Sequence, residues 1–410
     1  MGNMCANAKG IDEPASTSAR ESDKTPAQRR YPYNWPTGAE QVGYLTERQV
    51  KGRLKTQSEQ TVSLGGGLTF RYAAASQRGY YPSQADKANQ DSFRVELDMD
   101  AAGKHWFAVY DGHGPVGEKC SAFACEHVAK EFSKQLKAGA SKQQAMSRSH
   151  VTTNRALAAS PIDDQQSGTT AVTMYLDGRD LLVSNVGDSR VMLGTVDASG
   201  KLTARALSTD QTPYRRDERE RVKKYGARVM TADQIDGVEP IHENWDCNLG
   251  DEIDDGGDPP RIWAQDQEYP GTAFTRSIGD SLAESLGVVA EPELDEHKIG
   301  ASDRVLIAAS DGIFEFITTK SCVETALLYS DPLEACKALV GESYKLWIER
   351  EDRTDDITII LGYIEGPGAR PDVSVGAADV GIDVPKRAPA ADTSSKKSKT
   401  RRGSLGVSGK

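Results

Sequence analysis

No apolar run in this 410-residue chain approaches the roughly 18 residues that a membrane-spanning helix needs. The segment Met1–Gly10 lacks a hydrophobic core, so no secretory signal is expected there. Cysteine is scarce and scattered: Cys5, Cys120, Cys125, Cys247, Cys322 and Cys336 form no CxxC pair. The spacing excludes a small disulfide scaffold and points to reduced thiols in a cytosolic or nuclear compartment. Positive charge is in deficit, with 50 Lys+Arg against 61 Asp+Glu and a formal net charge of −11. That balance argues against general nucleic-acid binding, and no nucleic-acid partner is expected. Apolar residues are also few, at 37% against 27% charged, so part of the chain is expected in tails or loops.

The charge is unevenly placed. Lys386–Lys410 holds eight basic residues and one acid, a net of +7, which leaves −11 − 7 = −18 for the rest. Ala232–Glu268 holds 12 acids and a single Arg261, a net of −11, and includes the run Asp251–Asp258. This stretch shows neither helical nor strand periodicity and reads as an acidic loop inserted in a folded domain.

Short β-branched and aromatic runs read as strands: 69–72, 105–110, 170–176, 181–184, 191–193, 304–309 and 357–361. Helical spacing predicts helices over 118–136, 142–159, 217–225, 321–328 and 332–349, the last capped by Asp331 with Pro332 at its first position. Strands and helices come in clumps, which predicts an α+β layered domain of antiparallel sheets covered by helices. Residues 1–64 read as a mostly disordered leader, 65–365 as one domain, and 366–410 as a disordered basic tail.

Acids recur at the ends of these strands, beside glycine or in pairs. Asp111-Gly112-His113-Gly114 follows a strand, as do Gly187-Asp188 and Asp311-Gly312. Asp355-Asp356 and Asn89-Gln90-Asp91 precede one. A single Asp-Gly is ordinary turn chemistry. Several carboxylates held at one end of a sheet repel one another unless a cation neutralises them. Hard oxygen ligands without a Cys or His cluster suit Mg²⁺ or Mn²⁺ over Zn²⁺.

Eight motifs then occur in order: Lys87–Phe93 (KANQDSF), Val109–Gly114 (VYDGHG), Ser167–Ala171 (SGTTA), Asn185–Arg190 (NVGDSR), Leu207–Asp210 (LSTD), Thr275–Asp280 (TRSIGD), Ala309–Glu315 (ASDGIFE) and Thr354–Thr358 (TDDIT). Together they resemble the metal-dependent serine/threonine protein phosphatases of type 2C, over about residues 68–364. The resemblance implies a central sandwich of two antiparallel β-sheets flanked by helices, with a dimetal cleft at one end. It implies two Mg²⁺ or Mn²⁺ ions, bridged by Asp111 and held by the Gly112 carbonyl, Asp311, Asp355 and Asp91. Asp188, Asp311 and Glu315 match a weaker third metal position, although the family usually has Asp where Glu315 stands. A metal-bridged hydroxide would attack phosphorus in phosphoserine or phosphothreonine of protein substrates, and His113 would act as general acid. Asp280 closes a family motif and reads as structural support. The family's phosphate-gripping Arg is replaced by Asp86, so Lys87 is the phosphate-binding candidate. Gln90 stands where the family often has Glu and would orient a metal-bound water.

Residues 211–270 match the family's variable flap, and the acidic insert within it is expected to favour phosphopeptides with basic flanks. Met1-Gly2-Asn3-Met4-Cys5-Ala6 resembles a myristoylation signal at Gly2 with a palmitoylation candidate at Cys5. The expectation is a cytoplasmic monomer held at the inner face of a membrane by these acyl chains. Ser404, preceded by Arg401 and Arg402, is a phosphosite candidate for a basic-directed kinase. The rival expectation is a phosphatase-like binding or scaffold module without strong activity; survival of Asp111, Asp311 and Asp355 favours the enzyme.

Overall fold

A computed structural model describes residues 47–84, 86–245, 259–351 and 353–367. Gly2, Cys5, Ser404, the basic tail and the run Asp251–Asp258 lie outside the described residues. In chain order the first strands are β1 (Leu54–Gly65), β2 (Leu68–Gln77), β3 (Ser92–Glu96), β4 (Lys104–Tyr110), β5 (Gly112–His113), β6 (Gly168–Thr169), β7 (Ala171–Asp177), β8 (Asp180–Val186) and β9 (Arg190–Val196). They continue as β10 (Leu202–Ala206), β11 (Arg228–Met230), β12 (Arg261–Trp263), β13 (Pro270–Thr272), β14 (Ile278–Gly279), β15 (Glu293–Lys298), β16 (Asp303–Ala309) and β17 (Ile357–Glu365).

Strict alternation along the central strands builds two sheets that share one core. Phe70, Tyr72 and Ala74 of β2 meet Phe107 and Val109 of β4, while Ala73 and Ala75 join a second core outside the sandwich. One sheet has the order β1-β2-β17-β16-β9-β10 and the other β15-β8-β7-β4-β3, and every pairing within them is antiparallel. Helices cover the outer faces. Thr319–Ala326 and Pro332–Glu351 pack Val323, Leu339 and Trp347 on the first sheet. Gly117–Lys137 and Lys142–Ala158 pack Val128, Phe132 and Met146 against Trp106 and Tyr175 of the second. Asp331 caps its helix as expected, its Oδ1 accepting from the Leu333 amide at 2.7 Å. The result is the expected sandwich of antiparallel sheets flanked by helices.

Two expectations shift. The folded part reaches back before residue 65, through a helix Glu47–Gly52 and β1, whose Val62 and Leu64 are buried. β1 is an edge strand with mostly exposed polar side chains, so it carries no apolar alternation to read. The stretch 232–268, read as a loop, is also partly ordered: its described residues include a short helix Ala232–Ile235 and β12, which joins β11 and β13 in a small sheet. That sheet packs with the expected helix, here Arg216–Lys224, around Val222, Val229, Trp245 and Ile262. Three-residue strands are too short to show a period.

Candidate active site

The antiparallel registers bring the strand-end acids to one end of the sandwich. Ser92 pairs with Tyr110, which places Asp91 beside Asp111. Ala309 pairs with both Arg190 and Ile359, which gathers Asp311, Asp188 and Asp355-Asp356. The two sheets are joined there: Ser310 Oγ donates to Asp91 Oδ2 at 2.9 Å. The Gln90 and Gly79 amides donate to the two oxygens of Asp356 at 2.7 and 2.6 Å.

These carboxyls mainly face one another. Burial, then Asp356, pushes Asp91 well above the carboxylate range. Burial, then Asp91, Asp311 and Asp355, does the same to Asp111. Burial and Asp311 push Asp188 up to about 8. Burial and Asp355 push Asp311 up to about 6. Oδ1 of Asp91 and Oδ1 of Asp311 are buried without a hydrogen-bond partner. Crowded carboxylates with orphaned oxygens are a donor set that divalent cations of the Mg²⁺ or Mn²⁺ type would satisfy, so the residues present fit the implied metals.

Another acidic group deserves comparison. Asp217, Glu218 and Glu293 bring carboxylate oxygens within 4.8 Å of one another. Their charge is already met, because Arg215 pairs with Asp217 and Glu293, and Arg221 and Arg276 pair with Glu218. That set is an ion-pair network tying the 216–224 helix to Arg276 and β15, with its charge already balanced by arginines. A cavity of about 410 Å³ beside His297 and Lys298, at the β8–β15 edge, includes none of the candidate residues.

The remaining candidates surround the aspartates. Gly112 opens β5, packed so closely that an added Cβ would lie 2.3 Å from the Gly117 carbonyl oxygen. Gln90 Nε2 donates to the Gly114 carbonyl at 2.8 Å, so this amide braces the Gly112–Gly114 turn. Glu315 follows Asp311 by one helical turn. Asp86 is exposed, while Lys87 sets its Nζ 3.7 Å from the centre of the Tyr81 ring. The Tyr81 hydroxyl in turn donates to Asp355 Oδ1. His113 places Nε2 at 2.6 Å from Asp280 Oδ2 and its ring 4.2 Å from that of Phe274. Burial opposes charging this imidazole, but Asp280 more than offsets it and the pKa lies above the ordinary value.

Sequence reasoning missed Tyr81, Ser310 and Phe274, and it gave no specific task to Asp280 or Asp356. Tyr81 sits in a polar loop with no motif, and its partnership with Asp355 spans 274 residues of chain. Asp355 and Asp356 are adjacent identical residues, and only the fold separates the one facing Tyr81 from the one that both amides hold.

A family model described as Protein phosphatase 2C matches residues 84–346. The chain is 45% identical over 296 residues to Probable protein phosphatase 2C 35 of Arabidopsis thaliana, covering 72% of this chain and 84% of that one. It is 27% identical to Probable protein phosphatase 2C 73 of Oryza sativa subsp. japonica, covering 68% and 70%. A crystal structure of serine-threonine phosphatase 2C from Toxoplasma gondii superposes with a TM-score of 0.58 at 18% identity, over 76% of this chain and 99% of that one. This last likeness speaks to the fold.

Proposed function

The chain belongs to the protein phosphatase 2C family of metal-dependent serine/threonine phosphatases, and on that premise we propose how its own residues divide the hydrolysis of phosphoserine and phosphothreonine in proteins. Asp111, the Gly112 carbonyl, Asp311 and Asp355 would hold two Mg²⁺ or Mn²⁺ ions, with Asp91 beside them. Asp188, Asp311 and Glu315 would hold a third. When bound, these ions supply Lewis-acid charge that activates water and offsets charge on the phosphoryl oxygens. The observation that supports this division is the pair of orphaned oxygens on Asp91 and Asp311 inside a cluster of mutually repelling carboxyls.

The other residues act on the substrate. Lys87, steadied on the Tyr81 ring beside Asp355, meets the phosphate as a point charge. His113 protonates the leaving serine or threonine oxygen, and the Asp280 carboxylate beside it raises its pKa, which favours the proton-bearing imidazolium. The acidic stretch in the flap attracts basic sequence around the phosphosite. The test is hydrolysis of a phosphothreonine peptide with Mn²⁺, beside Asp111→Asn, with Mn²⁺ binding followed by calorimetry. Wild-type activity, and loss of both activity and metal binding in Asp111→Asn, are expected. A wild type inactive with both Mg²⁺ and Mn²⁺ would favour a binding module instead.

A further inference from the structure

Three two-residue strands form a small sheet of their own at the acidic end, in the order β14-β6-β5. Its central residue, Gly168, pairs with His113 on one side and with Gly279 on the other. The next residue after Gly279 is Asp280, buried, with its backbone in the left-handed region at φ 56. Few residues other than glycine adopt that conformation, although Asp and Asn are among them. It turns the carboxylate back over Gly168 toward His113. A Cβ on Gly168 would fall 2.1 Å from Asp280 Oδ2, so the carboxylate occupies the space that a glycine leaves open. The Asp280 amide donates to the Ser167 carbonyl at 2.9 Å, and the Gly279 amide to Asn154 Oδ1 at 2.7 Å. The carboxylate caps nothing in its own helix. Its direct side-chain partner here is His113, at 2.6 Å.

We propose that Asp280 is a positioning residue for His113: it accepts from Nε2, fixes the ring against Phe274, and leaves Nδ1 as the nitrogen that addresses the leaving oxygen. The inference rests on the reading of His113 as the proton donor. It gives the Gly168 and Gly279 glycines a common purpose, since both create the room and the turn that the carboxylate needs. It also separates Asp280 from the strand-end aspartates. Those are pushed together with their charge unmet, whereas Asp280 is held apart and already committed to an imidazole.

Two variants remove the same contact by different routes. Asp280→Gly deletes the carboxylate and suits the left-handed backbone, and Gly168→Ala displaces it while keeping it in the chain. Each is compared with wild type and His113→Gln on two substrates: a phosphothreonine peptide, whose alkoxide leaves only with a proton, and p-nitrophenyl phosphate, whose phenolate leaves without one. Correct placement of a proton donor is worth on the order of a hundredfold. Both variants are therefore expected to lose about tenfold to a hundredfold in kcat on the peptide, and under about threefold on p-nitrophenyl phosphate. Mn²⁺ affinity by calorimetry is expected to stay unchanged. Equal losses on the two substrates, no loss on either, or weakened Mn²⁺ binding would overturn the positioning role. If His113→Gln itself shows no preference between the substrates, the reading of His113 fails and this inference with it. If His113→Gln shows the preference and Asp280→Gly does not, only the inference fails.

Discussion

Replacing Asp311 by asparagine should move stability in opposite directions with and without divalent metal. Burial and the neighbouring Asp355 push its carboxyl up to about 6, against 3.8 ordinarily. A folded-state pKa above the unfolded value means that the folded protein binds more protons between about pH 4 and pH 6. Stability therefore falls as pH rises through that window, and the full cost stands at about pH 7.5. Two pKa units at about 1.4 kcal/mol each give roughly 3 kcal/mol. The side chain is only half-buried and shares the repulsion with Asp111 and Asp355, so about 1–2 kcal/mol is a realistic share for one substitution. Asparagine keeps the shape, removes the charge, and gives the crowded site a donor. In EDTA at about pH 7.5, Asp311→Asn should melt a few degrees above wild type, and the gap should close near pH 4. With Mn²⁺ at about a hundredfold over its Kd, the wild type should gain roughly 2.7 kcal/mol that the variant largely lacks, which reverses the order. Differential scanning calorimetry at two pH values, with EDTA and with Mn²⁺, reads both effects. A variant that melts below wild type in EDTA at about pH 7.5 would refute the electrostatic reasoning. A wild type indifferent to Mn²⁺ would refute the assignment of the site.

Tyr81→Phe keeps the ring beneath Lys87 and removes the hydroxyl that steadies Asp355, so Mn²⁺ affinity by calorimetry should drop about tenfold with little change in melting; unaltered affinity would detach Tyr81 from the site. Glu218→Gln leaves Arg221 and Arg276 without their buried charge partner and should cost about 3 kcal/mol in urea unfolding. The wild-type contribution is complete above about pH 4.5 and disappears as pH falls toward about 2, because those arginines, against the opposing effect of burial, hold Glu218 at about 2; a neutral Gln variant would contradict it. Deleting Asp251–Asp258 should lower kcat/KM severalfold for phosphopeptides with basic flanks and spare acidic ones, and unchanged relative rates would remove steering by the insert. The acyl anchor expected from the sequence Met1–Ala6 is tested by Gly2→Ala: an anchored wild type would move from the membrane to the soluble fraction on substitution, and identical fractionation would remove the anchor.

The sandwich was legible because its central strands are buried on both faces and read as dense β-branched and aromatic runs, such as Val305–Ala309 and Ile357–Leu361. The edges were not. β1, β10 and β15 carry polar side chains on at least one open face, and ELDEHK in β15 has no alternation to find. The acids of the site were legible for a related reason: a carboxylate placed directly at the end of an apolar run is unusual enough to notice. Tyr81, Ser310 and Phe274 were not, because each works through a contact distant in sequence and none belongs to a residue type that attracts attention in a loop.

The hydrogen bonds also rank the acids in a way the sequence could not. Asp356 commits both oxygens to the Gly79 and Gln90 amides, and so fixes the turn after β2 and the entry to β3. Asp355 gives Oδ1 to Tyr81 and to the Asp356 amide. Asp91 gives one oxygen to Ser310 and keeps the other buried and unpartnered, and Asp311 Oδ1 is likewise unpartnered. A carboxylate whose two oxygens each already accept a backbone amide gains little from a cation, whereas a buried orphan oxygen gains relief of its desolvation. The gradient therefore runs from Asp356 as a brace, through Asp355, to Asp91 and Asp311 as the oxygens with most to gain. One end of a sandwich can hold this many acids because some of them are structural, and the braces hold the others in a repulsion that a proton relieves at low pH and a cation would relieve at higher pH.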